Sequence, residues 1–378
     1  MIVTKVLAIE TSCDETGISI VSGERTKNGF VFDVQGNALL SQAPLHAAYG
    51  GVYPTLAKRE HQKNLPIMLA QALAEAKLPT DEIDAIAVTE GPGLEPALWT
   101  GITFAQKLSE EWHKPLFGVN HMEGHLISSL AGRENSKLQA QSSKQIFKLE
   151  NIQFPILALL VSGGHTQFIE STEWFTYKII GETLDDAVGE CFDKVARMLG
   201  LPYPGGPEIS QLAKAARDAG HTSDIRLPRP MLKSDNCDLS FSGLKTAALY
   251  ALRDLKKSRS DLDLGPLGTN EKSAFAKEFE DAVTDVFIAK TRRALKETGA
   301  RTFVIGGGVA ANAHLRGSLA ALIENEFSEI EIRLPEISIT GDNAIMIAEA
   351  ALARLLIGNW QLEASAREIR ANGNLSLA

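Results

Sequence analysis

Two histidines four residues apart, in the segment His121-Met-Glu-Gly-His125, are the strongest chemical signal in the chain. They follow an apolar run that ends at Val119, and Asn120 is a good N-cap, so a helix is expected to start here. Residues i and i+4 of a helix project from one face, which lets both imidazoles reach one metal ion. The chain has only 8 histidines, so the spacing is informative, although a surface or core pair that binds nothing is the alternative. A carboxylate is the usual further ligand. Asp342 in Thr340-Gly-Asp-Asn343 is the best candidate, and by position it could also be the N-cap of the next helix, or serve both purposes. The motif is not HExxH. Glu123 stands two residues after His121 rather than beside it, so it points to another face, which speaks against a metallopeptidase.

Three glycine clusters follow apolar runs: Glu90-Gly-Pro-Gly93, Ser162-Gly-Gly-His165 and Gly306-Gly-Gly-Val-Ala-Ala-Asn312. A strand followed by a glycine turn brings backbone N–H groups close to a phosphate. Each alone reads more simply as a tight turn. None is a dinucleotide fingerprint or a Walker A sequence. Two of them in the second half, and the polar loop Thr11-Ser-Cys-Asp-Glu-Thr16 between strands in the first, suggest a nucleotide held in a cleft between two related domains.

The elements that must position these groups follow from periodicity. Ile2–Ile9, Gly17–Val21 and Phe30–Val34 read as an antiparallel meander. A helix over Leu65–Ala76 with Pro66 in its first turn, a strand at Ile83–Val88, a helix at Ala97–Trp112 and a strand at Pro115–Val119 follow. The pattern restarts with strands at Pro155–Val161, Thr166–Glu170 and Thr176–Ile180. Helices are expected at Asp185–Leu199, Pro207–Ala219, Gly243–Leu255 and Lys272–Thr298, then a strand at Thr302–Ile305, a helix at Asn312–Glu324, a strand at Glu329–Arg333 and a helix at Asn343–Leu356. Three strands followed by alternating helices and strands thus occur twice, with no visible sequence repeat. The expected organisation is a first domain over 1–132, a polar linker over 133–154, a second domain over 155–342, and a segment over 343–378 whose helix packs back on the first domain.

Bulk properties bound the function. The 378 residues suit two domains at roughly 150 residues each. A net charge of −9 argues against a surface that grips nucleic acid all over, and leaves room for a local basic patch or a basic partner. Candidate phosphate contacts are Lys58-Arg59, Lys290 and Arg292-Arg293, each more simply a solvated helix face. Cys13, Cys191 and Cys237 are odd in number and far apart, which points to a reducing compartment. No apolar run reaches the roughly 18 residues of a membrane span, and no leader pattern is visible, so a cytoplasmic location is expected.

Read together, Ile9-Glu-Thr-Ser-Cys-Asp-Glu-Thr-Gly17, His121-Met-Glu-Gly-His125, Leu160-Val-Ser-Gly-Gly-His-Thr-Gln167 and Phe192-Asp-Lys194 resemble one family. So do Tyr203-Pro-Gly-Gly-Pro207, Phe241-Ser-Gly-Leu-Lys-Thr246, Gly307-Gly-Val-Ala-Ala-Asn312 and Gly341-Asp-Asn343. The chain resembles the tRNA N6-adenosine threonylcarbamoyltransferases, once described as glycoproteases, in order over nearly its whole length. Its segment Gly132–Gln153 is longer than the family's usual connection, and Ala344-Ile345 stands where small residues are common.

The resemblance implies an α/β, actin-like (ASKHA) fold of duplicated RNase H-like domains with a nucleotide cleft between them. It implies one divalent metal ion, Fe2+ ahead of Zn2+, on His121, His125 and Asp342. It implies that Leu160, Val161, Ser162, Gly163, Gly164, Asp193, Gly206 and Asn312 hold threonylcarbamoyl-AMP, and that Asp14 and Glu15 face the reaction site. The implied reaction moves the threonylcarbamoyl group to the exocyclic amine of adenosine 37 in tRNAs reading codons that begin with adenine. The implied partners are the tRNA anticodon stem-loop, a P-loop ATPase and an inactive paralogue. The rival readings are a metallopeptidase, a non-catalytic nucleotide-binding module of the actin-like class, and, with less support, a sugar or acyl kinase.

Overall fold

The first strand, β1 (Thr4–Glu10), is apolar on both faces, as a strand covered on both sides must be. It pairs antiparallel with β2 (Glu15–Arg25), which pairs antiparallel with β3 (Gly29–Ser41). A one-turn helix α1 (Ala43–His46) and the long helix α2 (Pro54–Ala76) follow, then β4 (Ala85–Gly91), α3 (Glu95–Trp112), β5 (Leu116–Asn120), α4 (His121–Leu130) and the edge strands β6 (Gly132–Arg133) and β7 (Gln145–Glu150). The second half contains β8 (Ile156–Val161), β9 (Thr166–Glu173), β10 (Thr176–Glu182), α5 (Val188–Met198), α6 (Gly205–Asp218), α7 (Ser242–Lys257) and α8 (Thr269–Thr298). It ends with β11 (Thr302–Gly306), α9 (Ala313–Glu326), β12 (Glu331–Arg333) and α10 (Ala344–Ile357). This computed structural model describes residues 3–133, 145–222, 224–257, 267–362 and 368–378.

The two sheets repeat one plan. The first runs β5-β4-β1-β2-β3-β7-β6 and the second β10-β9-β8-β11-β12. In each, an antiparallel meander (β1–β2–β3; β8–β9–β10) meets two further strands parallel to its first strand (β4 and β5; β11 and β12). The duplication that periodicity suggested is thus present in strand order although the sequences have diverged.

Between the sheets lies a shared core. Val6 and Ala8 of β1, Ala158 and Leu160 of β8, Met122 and Leu126 of α4, and Ile345, Met346, Ile347 and Leu352 of α10 form one apolar cluster. All ten residues of α4 are buried. The absent side chain of Gly124 lets α10 approach, since a Cβ there would lie 3.1 Å from Ile347 Cδ1. The helix carrying the histidine pair is therefore clamped on every side.

Three expectations are corrected. The helix expected from Leu65 begins at Pro54, a favourable first-turn proline, and Pro66 lies in its interior. The polar run Lys58 to Asn64 hid the first part because the helix is largely exposed there. Residues 145–150 form β7 on the edge of the first sheet rather than a loop, because Phe147 and Leu149 alternate into the core. The rest of the polar run, 134–144, lies outside the described residues. Asp185 does not start α5. Its carboxylate accepts from the N–H groups of Phe241 and Ser242 and from the Ser240 and Ser242 hydroxyls at the start of α7.

Candidate metal centre and cleft

Asn120 caps α4 as expected, its Oδ1 accepting from Met122 N at 2.9 Å and Glu123 N at 3.3 Å. This fixes the first turn, so His121 and His125 face the same way with ring centroids 4.6 Å apart. Asp342 arrives from the loop before α10. Its Oδ1 lies 3.1 Å from His125 Nε2 and 3.5 Å from His121 Nε2. One ligand atom from each of the three falls within 4.8 Å of the others. The capping alternative for Asp342 fails: Asn343 Oδ1 caps α10 by accepting from Met346 N at 3.1 Å. The Asp342 carboxylate is left for the histidines.

The donor set fits a divalent ion of the iron or zinc type, two imidazoles and one carboxylate. The surroundings fit as well. Ligating histidines commonly give their other ring nitrogen to a carboxylate, which fixes the tautomer. Here His121 Nδ1 lies 3.3 Å from Glu10 Oε2 and 3.2 Å from Ser12 Oγ. Glu10 is itself held by Thr89 Oγ1 and by Ser12 N. Sequence reasoning missed Glu10 and Ser12 as supports. Their only signal was position: Glu10 ends β1 and Ser12 lies in the polar loop that follows it.

Electrostatics bind the cluster together. Burial disfavours charge on His121, but Asp342 and Glu10 overcome it and push the imidazole up to about 10. Burial would raise the Asp342 carboxyl, yet the two histidines hold it far below the usual range. His125 is lowered, chiefly by burial. Glu123 plays no part. It accepts bonds from Arg354 at 2.7 and 2.9 Å and from the Tyr177 hydroxyl at 2.7 Å, on another face of α4. A peptidase's general base is therefore missing beside the first histidine.

The glycine turns separate into two kinds. Glu90-Gly-Pro-Gly93 is filled by the chain's own C-terminal segment: a Cβ on Gly91 would sit 2.0 Å from Asn372 O, and Gly93 N donates to Gly373 O at 3.1 Å. It is a packing turn, not a phosphate cradle. The turn at 162–164 is different. Ser162 N is used within the turn, donating to His165 O, while a Cβ on Gly163 or Gly164 would meet nothing within 4 Å. Gly307, at φ 88, backs onto Val161, where a Cβ would lie 2.4 Å from the carbonyl oxygen. The two glycine turns of the second half therefore abut.

The structure distributes the remaining candidate residues as follows. Leu160 and Val161 are fully buried strand residues, so only their backbone can meet a ligand. Asp193 Oδ1 accepts from Gly205 N at 2.7 Å, holding the start of α6, with Gly206 next to it opening on free space. Asn312 is engaged on every side: Oδ1 caps α9 through Leu315 N, and Nδ2 donates to Ser210 Oγ at 2.8 Å and Glu280 Oε1 at 2.7 Å. Asp14 ends the loop that follows β1, and Glu15 opens β2. Burial, reinforced by Asp342 and Asp14, pushes the Glu15 carboxyl up to about 9. Burial raises Asp193 too, with the Asp14 charge adding to it. The charge of the acidic loop in the first half thus reaches Asp193 on α5 of the second.

The candidate phosphate contacts fare unequally. Lys290 is buried, donating to Ser234 Oγ and Asn236 O. Arg292 forms two bonds to Glu326, and Arg293 pairs with Asp235 and Glu297. Those three serve the fold. Lys58 and Arg59 are exposed and enter no ion pair among the described residues.

No helix among the described residues is long and apolar enough to cross a membrane. The fold is similar to that of full-length HypF in a phosphate- and nucleotide-bound form, with a TM-score of 0.55 at 12% identity over 95% of this chain and 47% of that one. The HypF of T. kodakarensis gives 0.53, again at 12% identity. This chain thus spans about half the length of those proteins, and the likeness identifies the actin-like α/β fold. In sequence, the chain is 42% identical to a tRNA N6-adenosine threonylcarbamoyltransferase of Burkholderia pseudomallei over 95% of this chain and 94% of that protein. The protein of that name from Burkholderia ambifaria is 41% identical over 96% and 94%. The model of the same family matches residues 33–349. The chain therefore belongs to the tRNA N6-adenosine threonylcarbamoyltransferase family, whose members are tRNA-modifying acyltransferases.

Proposed function

We propose that the chain transfers a threonylcarbamoyl group from threonylcarbamoyl-AMP to the exocyclic amine of adenosine 37 in tRNAs that read codons beginning with adenine. The observation that carries this reading is the His121, His125 and Asp342 cluster in a chain of this family. These residues would hold one divalent ion, iron ahead of zinc. When bound, such an ion supplies Lewis acidity towards a carbonyl oxygen.

The chain's own groups do the rest. The Gly163 and Gly164 amides, which border open space, would cradle the acyl phosphate, and Gly206 would leave room for the adenylate. Asp193 would hold the nucleotide indirectly by fixing the α6 start, and Asn312 by fixing the α9 start, since both side chains are already committed. The mixed anhydride would lie between these turns and the acidic loop, oriented for attack. The amine nitrogen attacks the carbamoyl carbon, the bond to the phosphate oxygen breaks, and AMP leaves. Glu15, held by the Ser41 hydroxyl, would orient the adenosine. Asp14 is then assigned to accept the amine proton. A cytoplasmic setting with a P-loop ATPase and an inactive paralogue completes the proposal, with halves at 1–132 and 155–342 joined through 133–154 and closed by 343–378.

The test is to incubate the metal-loaded protein with threonylcarbamoyl-AMP and unmodified tRNA, with and without those partners, then digest the tRNA and weigh its nucleosides. Threonylcarbamoyladenosine should form. Its absence in both mixtures, with metal bound, would refute the proposal.

A further inference from the structure

Beside the acidic loop lies an aromatic surface that the proposed chemistry does not use. Tyr49 and Tyr53 are 62% and 52% exposed, and their rings stack with centroids 5.5 Å apart and planes 21° from parallel. Neither hydroxyl has a partner among the described residues. Leu39, Leu40 and Leu45 are also exposed nearby in the sequence.

Hydrogen bonds tie the segment that carries the pair to the acidic loop. Tyr53 N donates to His46 Nδ1 at 3.3 Å, so His46 Nε2 carries the proton and faces Gln42 Oε1 at 3.3 Å. Gln42 N donates to Asp14 O at 2.9 Å, and Ser41 Oγ donates to Glu15 Oε1 at 3.0 Å. His61 ties the same segment to the loop by facing Cys13 O at 3.0 Å. On the other side, Gly50 sits against the guanidinium of Arg197, where a Cβ would lie 2.9 Å from a terminal nitrogen. Arg197 is one turn of α5 from Asp193. It is exposed and forms no ion pair among the described residues, as do Lys58 and Arg59 in the second turn of α2.

Exposed stacked aromatics beside unpaired cations are how proteins take up single-stranded RNA, whose splayed bases stack on rings while the cations meet phosphates. The combination is notable in a chain of net charge −9, whose other clustered arginines are neutralised internally. We propose that Tyr49 and Tyr53 form a stacking platform for an unpaired base next to the adenosine that is modified, with Arg197 contacting the adjoining phosphate. This rests on the transferase reading. The pair positions the RNA and takes no part in bond making.

The experiment uses the full chain, with the partner proteins present if transfer requires them, and an anticodon stem-loop carrying aminopurine beside the target adenosine. Binding should quench the aminopurine. Tyr49→Ala and Tyr53→Ala should each reduce the quench and raise KM for tRNA about tenfold, with kcat changed less than about twofold. Tyr53→Trp should restore both. The slope of log KM against log salt should stay unchanged in the tyrosine variants and fall by about one in Arg197→Ala. An unquenched probe while wild-type protein forms product, or alanine variants with unchanged KM, would overturn the platform. So would variants that lose a protein partner while binding the isolated stem-loop normally. If the quench depends on both tyrosines but no modified nucleoside ever forms, the platform stands and the transferase reading falls.

Discussion

Asp342 can face the histidines because Asn343, one residue later, takes over the helix cap. Sequence alone left that choice open, since Asp and Asn are equally good caps. The histidine pair was legible because i,i+4 spacing is local; the carboxylate 217 residues away could only be a candidate. Glu10 was not legible as a support, because nothing local distinguishes it from any polar residue at a strand end. Asn312, expected to meet the ligand, caps α9 and bonds Ser210 and Glu280 in the structure, partners of which the sequence carries no sign. Two outcomes follow at this scale. Protein prepared with iron or zinc should carry about one ion per chain by elemental analysis, and His121→Ala, His125→Ala or Asp342→Asn should each abolish it. Retention of a full equivalent by any of these variants would displace that residue from the ligand set. Glu15→Gln, which keeps a hydrogen-bonding group of the same size for orienting the adenosine, should keep kcat near the wild-type value, whereas Asp14→Asn should lose transfer. Equal losses in both would reverse the assignment of roles.

The elements were read more fully than their ends. Most strands and helices fall where periodicity put them, because buried strands are continuous runs of apolar residues and the helices carry clear apolar faces. Helix α2 was half missed, since its first three turns are mostly polar and an internal proline looked like a start. Within α10, Glu349 is fully buried and neither oxygen finds a hydrogen-bond partner among the described residues; the Ser128 hydroxyl lies beside it without completing a bond. Burial pushes its carboxyl up to about 8. A carboxyl raised in the folded state favours folding most below its unfolded value and gives up that contribution as pH climbs through the folded one. Wild-type stability should therefore fall between about pH 4.5 and 8 relative to Glu349→Gln, by as much as about 1.4 kcal/mol per pH unit. Parallel Tm-against-pH curves for the two proteins would show that Glu349 is not protonated. Removing the cap of the histidine helix by Asn120→Ala should cost about 1 kcal/mol in denaturant unfolding and weaken metal binding.

On the scale of the molecule, the two sheets meet through α4 and α10; α4 carries the histidines and the loop that leads into α10 brings Asp342. The duplicated order was legible as two restarts of one pattern, but the way the halves pack was not, because contacts such as Arg354 to Glu123 and Tyr177 to Glu123 join residues distant in sequence. That buried cluster ties α10, α4 and β10 together. Breaking it with Arg354→Ala should destabilise the protein by about 3 kcal/mol while leaving the metal content of the folded fraction unchanged. A simultaneous loss of metal would mean that the cluster also sets the ligand geometry. The reading of the whole molecule as an acyltransferase rests on the acyl group passing to tRNA from an adenylate held in this cleft. The most direct measurement is a single-turnover reaction of threonylcarbamoyl-AMP labelled in its threonyl part with excess metal-loaded protein, tRNA and partners, following the label into digested tRNA. Label should appear in one modified adenosine with wild-type protein and stay out of tRNA with the His121→Ala, His125→Ala double variant. Label released only to water, or reaching tRNA equally with the double variant, would contradict the account.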